Sequence, residues 1–83
     1  MRINLQIKFS DGNTKDLTAN AADLVAFEDK YNISAAKLGD DPKIGYLLFL
    51  AWHADKRTGG TEKEYSDWLS DVEQVGDSNK DPK

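Results

Sequence analysis

The stretch from Lys43 to Arg57 has the spacing of a helix that is apolar on two sides, and no other feature restricts the fold of this chain as much. Ile44, Leu47, Leu48 and Ala51 share one face at i, i+3, i+4 and i+7, with Trp52 beside them. Tyr46, Phe49, Leu50 and His53 repeat that spacing on the opposite side. A helix at the edge of a small domain shows one apolar stripe, so a helix with two needs two covers. Either a hairpin and flanking helices cover both faces, or part of the Tyr46, Phe49, Leu50 and His53 face stays open for a partner or a second copy.

The flanking segments supply candidate covers. Ile3, Leu5, Ile7 and Phe9 alternate with Arg2, Asn4, Gln6 and Lys8, the period of a half-buried strand. Asp11-Gly12 tolerates the positive φ angles of a tight turn, and Thr14 to Thr18 forms a return strand. Asn20 caps a helix bearing Asp23 in its first turn, with Leu24, Phe27 and Tyr31 at helical spacing and Ala21 and Val25 widening the stripe. Glu28 falls within that stripe. It is a carboxylate at the edge of the face, a partner for a cation such as Arg57, or a buried acid that anchors another protein.

Ala35 to Leu38 has room for one helical turn before Gly39. Asp40-Asp41-Pro42 then restarts a helix, Lys56 and Arg57 favour its negative end, and Gly59-Gly60 stops it. Thr61 and Glu64 have capping-box spacing, followed by Tyr65, Trp68, Leu69 and Val72 on one helical face. Gly76 to Lys83 carries no apolar residue and is expected to be a disordered polar tail. The fold class is therefore α+β: one small domain over residues 1–75, an N-terminal β-hairpin followed by three main α-helices, and a tail over 76–83.

The chemistry implied is that of a binding protein. With 83 residues the core is modest, and a deep catalytic cleft is hard to build. There is no cysteine, hence no thiolate and no Cys-based zinc site, which fits a reducing cytosol. His53 is the only histidine, which rules out a multi-histidine metal site. It is a helix-end histidine, or a general base for which no nucleophile turn is recognisable. No cofactor motif stands out: the carboxylates of Asp67, Asp71 and Glu73 lack the pattern of a calcium loop, and no Gly-Lys-Ser/Thr follows Gly59-Gly60. The net charge of −4 is matched by the excess of acids between Glu62 and Glu73, and no Lys/Arg cluster offers a phosphate footprint. The longest apolar run, Tyr46 to Trp52, is too short to span a membrane. A protein partner is expected, with nucleic acid and membrane excluded. The residues expected to meet it are Tyr46, Phe49, Leu50 and His53, then Trp52 and Trp68.

The order of Leu24-Val25-Ala26-Phe27-Glu28, Tyr31-Asn32-Ile33-Ser34, Leu47-Leu48-Phe49-Leu50-Ala51-Trp52-His53-Ala54 and Tyr65-Ser66-Asp67-Trp68-Leu69 after a hairpin resembles the tail assembly chaperones of siphophages that infect actinobacteria and related hosts. The likeness spans roughly residues 1 to 75. It implies a host-cytoplasmic protein that coats the hydrophobic helical segments of the tail tape-measure protein until the tube forms around it. It also implies the shorter of the two lengths in which many such chaperones are made. The alternatives are a virion structural piece such as a connector, and an acidic mimic of DNA.

Overall fold

The alternation at the N-terminus forms β1 (Ile3–Phe9), which pairs antiparallel with β2 (Thr14–Ala19). The turn between them closes through Phe9 N–H to the Asn13 carbonyl at 2.8 Å and Gly12 N–H to the Phe9 carbonyl at 2.9 Å. Asp11 accepts from the Asn13 N–H at 2.9 Å, and Gly12 takes the left-handed φ of 93° that its missing Cβ allows. The register sets Leu5 opposite Leu17 and Ile3 opposite Ala19, so the inward side chains stack in layers. On the outward face Thr18 donates to Asn4 and Gln6 to Asp16, a polar surface that needs no cover.

The computed structural model describes residues 2–40 and 43–77. Helix α1 (Ala21–Tyr31) begins with a complete capping box between Asn20 and Asp23 and ends at Asn32 in the left-handed region. A short α2 (Lys37–Asp40) follows, with Gly39 inside it and not ending it. The long α3 (Ile44–Arg57) starts after Lys43, which supplies no side-chain cap. Asp41 and Pro42, expected to start this helix, lie outside the described residues.

Helix α4 (Tyr65–Ser70) is shorter than its apolar spacing predicts, and the Thr61–Glu64 capping box is not formed. Glu64 takes the cap position, while Thr61 Oγ1 accepts from the Lys63 N–H at 3.2 Å. The chain then turns at Asp71 into β3 (Val72–Asp77), a third strand where the sequence suggests the end of a helix and the start of a polar tail. β3 pairs antiparallel with the free edge of β1, giving the order β2-β1-β3. Lys8 and Phe9 are consecutive in β1, yet their partners are Gln74 and Val72, so Glu73 is the extra residue of a bulge. That bulge lets Val72 and Val75 both pack against the core although they are three residues apart. Val72, read as the last residue of a helical face, thus opens a bulged strand.

Helix α3 packs on the sheet chiefly against β2 and also reaches β1 and β3, with α1 and α4 beside it. Leu50, Ala51 and Ala54 are sealed, with Phe27, Ile7 and Trp68 around them. Ala51 and Ala54 carry little bulk, which lets α3 sit close to the hairpin. The burial of α3 divides along its axis as much as around it: Phe49, Leu50, Ala51, Ala54 and Asp55 are buried, while Ile44 in the first turn is 65% exposed and Lys56 and Arg57 at the end are exposed. Each sealed Leu or Phe side chain contributes about 1.5–3 kcal/mol through the water it releases.

The third strand has a direct spectroscopic test. Backbone Cα and Cβ chemical shifts of Val72 to Val75 should be those of a strand, with helical shifts ending at Ser70. Helical shifts continuing through Val72 would refute the three-stranded sheet.

Candidate functional site

Two aspartates are buried in this small core, Asp23 at 0% and Asp55 at 2% exposure, and each is held by groups from other elements. Asp23 is the third residue of α1, and its Oδ2 accepts from the Asn20 N–H at 2.9 Å. From α3, Arg57 donates to both carboxylate oxygens, with Nε at 3.1 Å from Oδ1 and Nη2 at 2.9 Å from Oδ2. His53 Nδ1 lies 2.5 Å from Asp23 Oδ1. Because a carboxylate oxygen only accepts, the proton sits on Nδ1. Arg57 Nη2 also donates to the Thr18 carbonyl at 3.2 Å, so one guanidinium ties α3 to both α1 and β2. Burial pushes the Asp23 carboxyl upward, but hydrogen bonds from Arg57, His53 and the Asn20 backbone outweigh it and hold the group below its ordinary range.

Arg57 therefore pairs with Asp23 and not with Glu28. The carboxylate of Glu28 accepts from the Ala35 N–H at 2.7 Å and pins the segment that leads into α2. His53 and Arg57 are four residues apart on α3, so they share a face, and that spacing was the available sign that they act on one carboxylate.

Asp55 faces the hairpin. Lys15 Nζ lies 3.1 Å from both of its oxygens, and Trp68 Nε1 donates to Oδ2 at 3.2 Å. Lys15 points inward because it sits opposite Ile7 in the register. Gly60 covers this carboxylate so closely that a Cβ there would lie 2.0 Å from Asp55 Oδ1. A polar cleft of about 540 Å³ opens above, with Phe9, Lys15, Thr61, Lys63 and Asp71 among its lining residues. Its two lysines are already engaged, Lys15 by Asp55 and Lys63 by Asp71.

An aspartate that orients a histidine is half of a general-base arrangement. Among the described residues no hydroxyl hydrogen-bonds His53, and no group of three or more His, Asp or Glu is placed to hold a metal. The arrangement works as a clasp between α1 and α3.

Of the six residues expected to meet a partner, three are interior: Leu50 at 0%, Trp68 at 2% and Phe49 at 5% exposure. They cannot form a docking surface in this conformation, because α1, α4 and the sheet cover them. Tyr46, Trp52 and His53 are half-buried and join Tyr31 and Tyr65 in one aromatic cluster, with Tyr31–Tyr46 centroids at 5.0 Å and Trp52–Tyr65 at 5.4 Å. The Tyr65 hydroxyl donates to the Gly45 carbonyl at 3.3 Å. Burial, and then the neighbouring Tyr31, push the Tyr65 phenol well above its ordinary pKa.

The open apolar surface lies elsewhere. A groove of about 660 Å³ runs between α1 and the segment leading through α2, lined by Ile3, Ala21, Leu24, Val25, Glu28, Ser34, Ala35, Ala36 and Leu38. Val25, expected within the core stripe, is 57% exposed here. The polar groups of the lining are already used: Glu28 accepts from Ala35 N–H, and Ser34 Oγ from Ala36 N–H at 3.1 Å. What remains on offer is aliphatic.

Among the described residues no helix is long and apolar enough to cross a membrane. Comparison with protein-family models, with curated proteins and with solved structures gives no match for this chain.

Two outcomes test the clasps. Asp23 titrates lower in the folded chain than its ordinary value of 3.8, so its stabilisation is complete above that value and is lost as pH falls through the folded value. Urea unfolding of wild type and Asp23→Asn should therefore converge as the pH drops from about 7 to about 2, and parallel profiles would contradict the clasp. Gly60→Ala should lower stability by about 1–3 kcal/mol, since its methyl must displace a buried carboxylate. An unchanged unfolding midpoint would show that Asp55 is not packed beneath it.

Proposed function

We propose that this chain is a protein-binding assembly chaperone, which holds an amphipathic helical segment of a phage tail tape-measure protein in the host cytoplasm until the tail assembles. The observation that supports this reading is the groove beside α1, with Val25 standing 57% exposed at its edge. A helix-in-groove complex needs a long apolar trough into which side chains at i, i+3 and i+4 can fit. Ala21, Ala35 and Ala36 keep the walls low, which lets a helix backbone approach closely. Because the groove's polar groups are satisfied internally, an apolar client strands none of them. The likeness in order and spacing to tail assembly chaperones points to the same kind of client.

The surface charge suits this role better than that of a DNA mimic. Lys63 pairs with Asp71, Lys56 with Glu64 at 3.6 Å and Lys8 with Glu73 at 3.4 Å, so much of the acidic run is neutralised locally. A mimic needs free carboxylates spread like phosphates along a strand.

Co-expression with a tape-measure protein is the test. The soluble fraction of the client should rise with the wild-type chain and return to its unassisted level with Val25→Asp, whose own unfolding midpoint should change little because the site is exposed. A client equally insoluble with and without the wild-type chain would overturn the proposal, and recovery of this chain in purified particles would favour a structural role instead.

A further inference from the structure

The aromatic cluster between α1, α3 and α4 is a second surface, separate from the groove. Tyr31, Tyr46, Trp52 and Tyr65 are each half-exposed, and the rings behind them, Phe27 and Phe49, are interior. Hydrogen bonds hold the cluster in place: Tyr31 and Tyr65 hydroxyls converge on the Gly45 carbonyl, and Trp52 Nε1 donates to the Lys63 carbonyl at 2.9 Å. Ammonium groups stand over its rim. Lys30 Nζ lies 5.6, 5.7 and 5.9 Å from the ring centres of Tyr31, Phe49 and Tyr65. Lys43 Nζ is 5.9 Å from Tyr46, and Lys56 Nζ is 5.2 Å from Trp52.

At this rim Lys56 is paired with Glu64, whereas Lys30 and Lys43 have no carboxylate within salt-bridge distance among the described residues. In a chain of net charge −4, the aromatic face is where exposed positive charge meets exposed apolar surface. We propose that it docks an acidic protein segment, whose apolar side chains lie on the rings of Tyr46 and Trp52 while its carboxylates meet Lys30 and Lys43. Aromatic side chains give such a site large, rigid contact area at small entropic cost, and the lysines set the sign of the partner.

Nucleic acid fits this face less well. The exposed rings are inclined to one another, with interplanar angles of 61° for Tyr31–Tyr46 and 55° for Trp52–Tyr65, so they offer no parallel faces on which successive bases stack. A chain of net charge −4 also repels a long line of phosphates more strongly than a short acidic segment. The inference does not depend on the groove, because Lys30 lies about 140° around α1 from Val25 at 3.6 residues per turn.

Calorimetric titration of the full chain at low salt tests the assignment, with three probes: a synthetic helical peptide of Glu, Leu and Phe, its Gln-for-Glu counterpart, and oligo(dT). The acidic peptide should bind, and its Gln counterpart should bind several-fold more weakly, since each exposed ion pair is worth up to roughly a factor of five. Lys30→Gln combined with Lys43→Gln should produce a comparable loss while leaving thermal unfolding unchanged, and Val25→Asp should leave acidic-peptide binding intact. Absence of binding, equal affinity for the two peptides, an unaffected lysine variant, loss of binding in Val25→Asp, or tighter binding of oligo(dT) would each overturn it.

Discussion

Asp23 joins the start of α1 to the last turns of α3 through Arg57 and His53, and Asp55 joins α3 to the hairpin and to α4 through Lys15 and Trp68. Apolar contacts among Leu50, Phe27 and Ile7 favour collapse but are nondirectional. The two carboxylates are not. Each has one set of donors, and an aspartate buried without them costs several kcal/mol. The docking of the hairpin, α1 and α4 onto α3 is therefore fixed in register by two polar clasps set within an apolar core. Among the described residues no buried side-chain nitrogen or oxygen is left without a partner. Gly60 belongs to the same design, because only a residue without a Cβ leaves room for the Asp55 carboxylate.

That arrangement explains which surfaces remain for function. The enclosed length of α3 is spent on the core and the clasps, and Phe49 and Leu50 go with it. What the chain leaves open is displaced toward α1. On one side of that helix Val25 and the small residues facing it form an aliphatic groove, and on another Tyr31 joins a cluster of rings rimmed by lysines. One helix thus separates two surfaces of different chemistry, one aliphatic and one aromatic with lysines at its rim.

Much of this was legible in the sequence. Period-two alternation marks β1, Asp11-Gly12 marks its turn, and the Asn20 cap places the start of α1. The two-sided character of α3 correctly demands a cover on each side. Four features escaped for physical reasons. Val72 continues the helical spacing of Tyr65, Trp68 and Leu69 yet opens β3, where the bulge at Glu73 brings it to the same side as Val75. The destination of Arg57 depends on how α1 crosses α3, a tertiary quantity that local spacing does not carry. Periodicity also assigns residues to faces without saying where along α3 the cover stops, so Phe49 and Leu50 look as available as Tyr46 and His53. Val25 fails in the opposite sense, since an apolar residue on a core-facing helix is assumed to be buried until a shallow neighbour such as Ala36 leaves it in water.

The groove beside α1 is the surface proposed to take an apolar helix. Amide chemical shifts recorded while a helical segment of a tape-measure protein is titrated into the labelled chain test this most directly. Shifts concentrated at Ala21, Leu24, Val25, Ala35, Ala36 and Leu38 are the predicted result. A saturating complex that leaves those amides unmoved would contradict it.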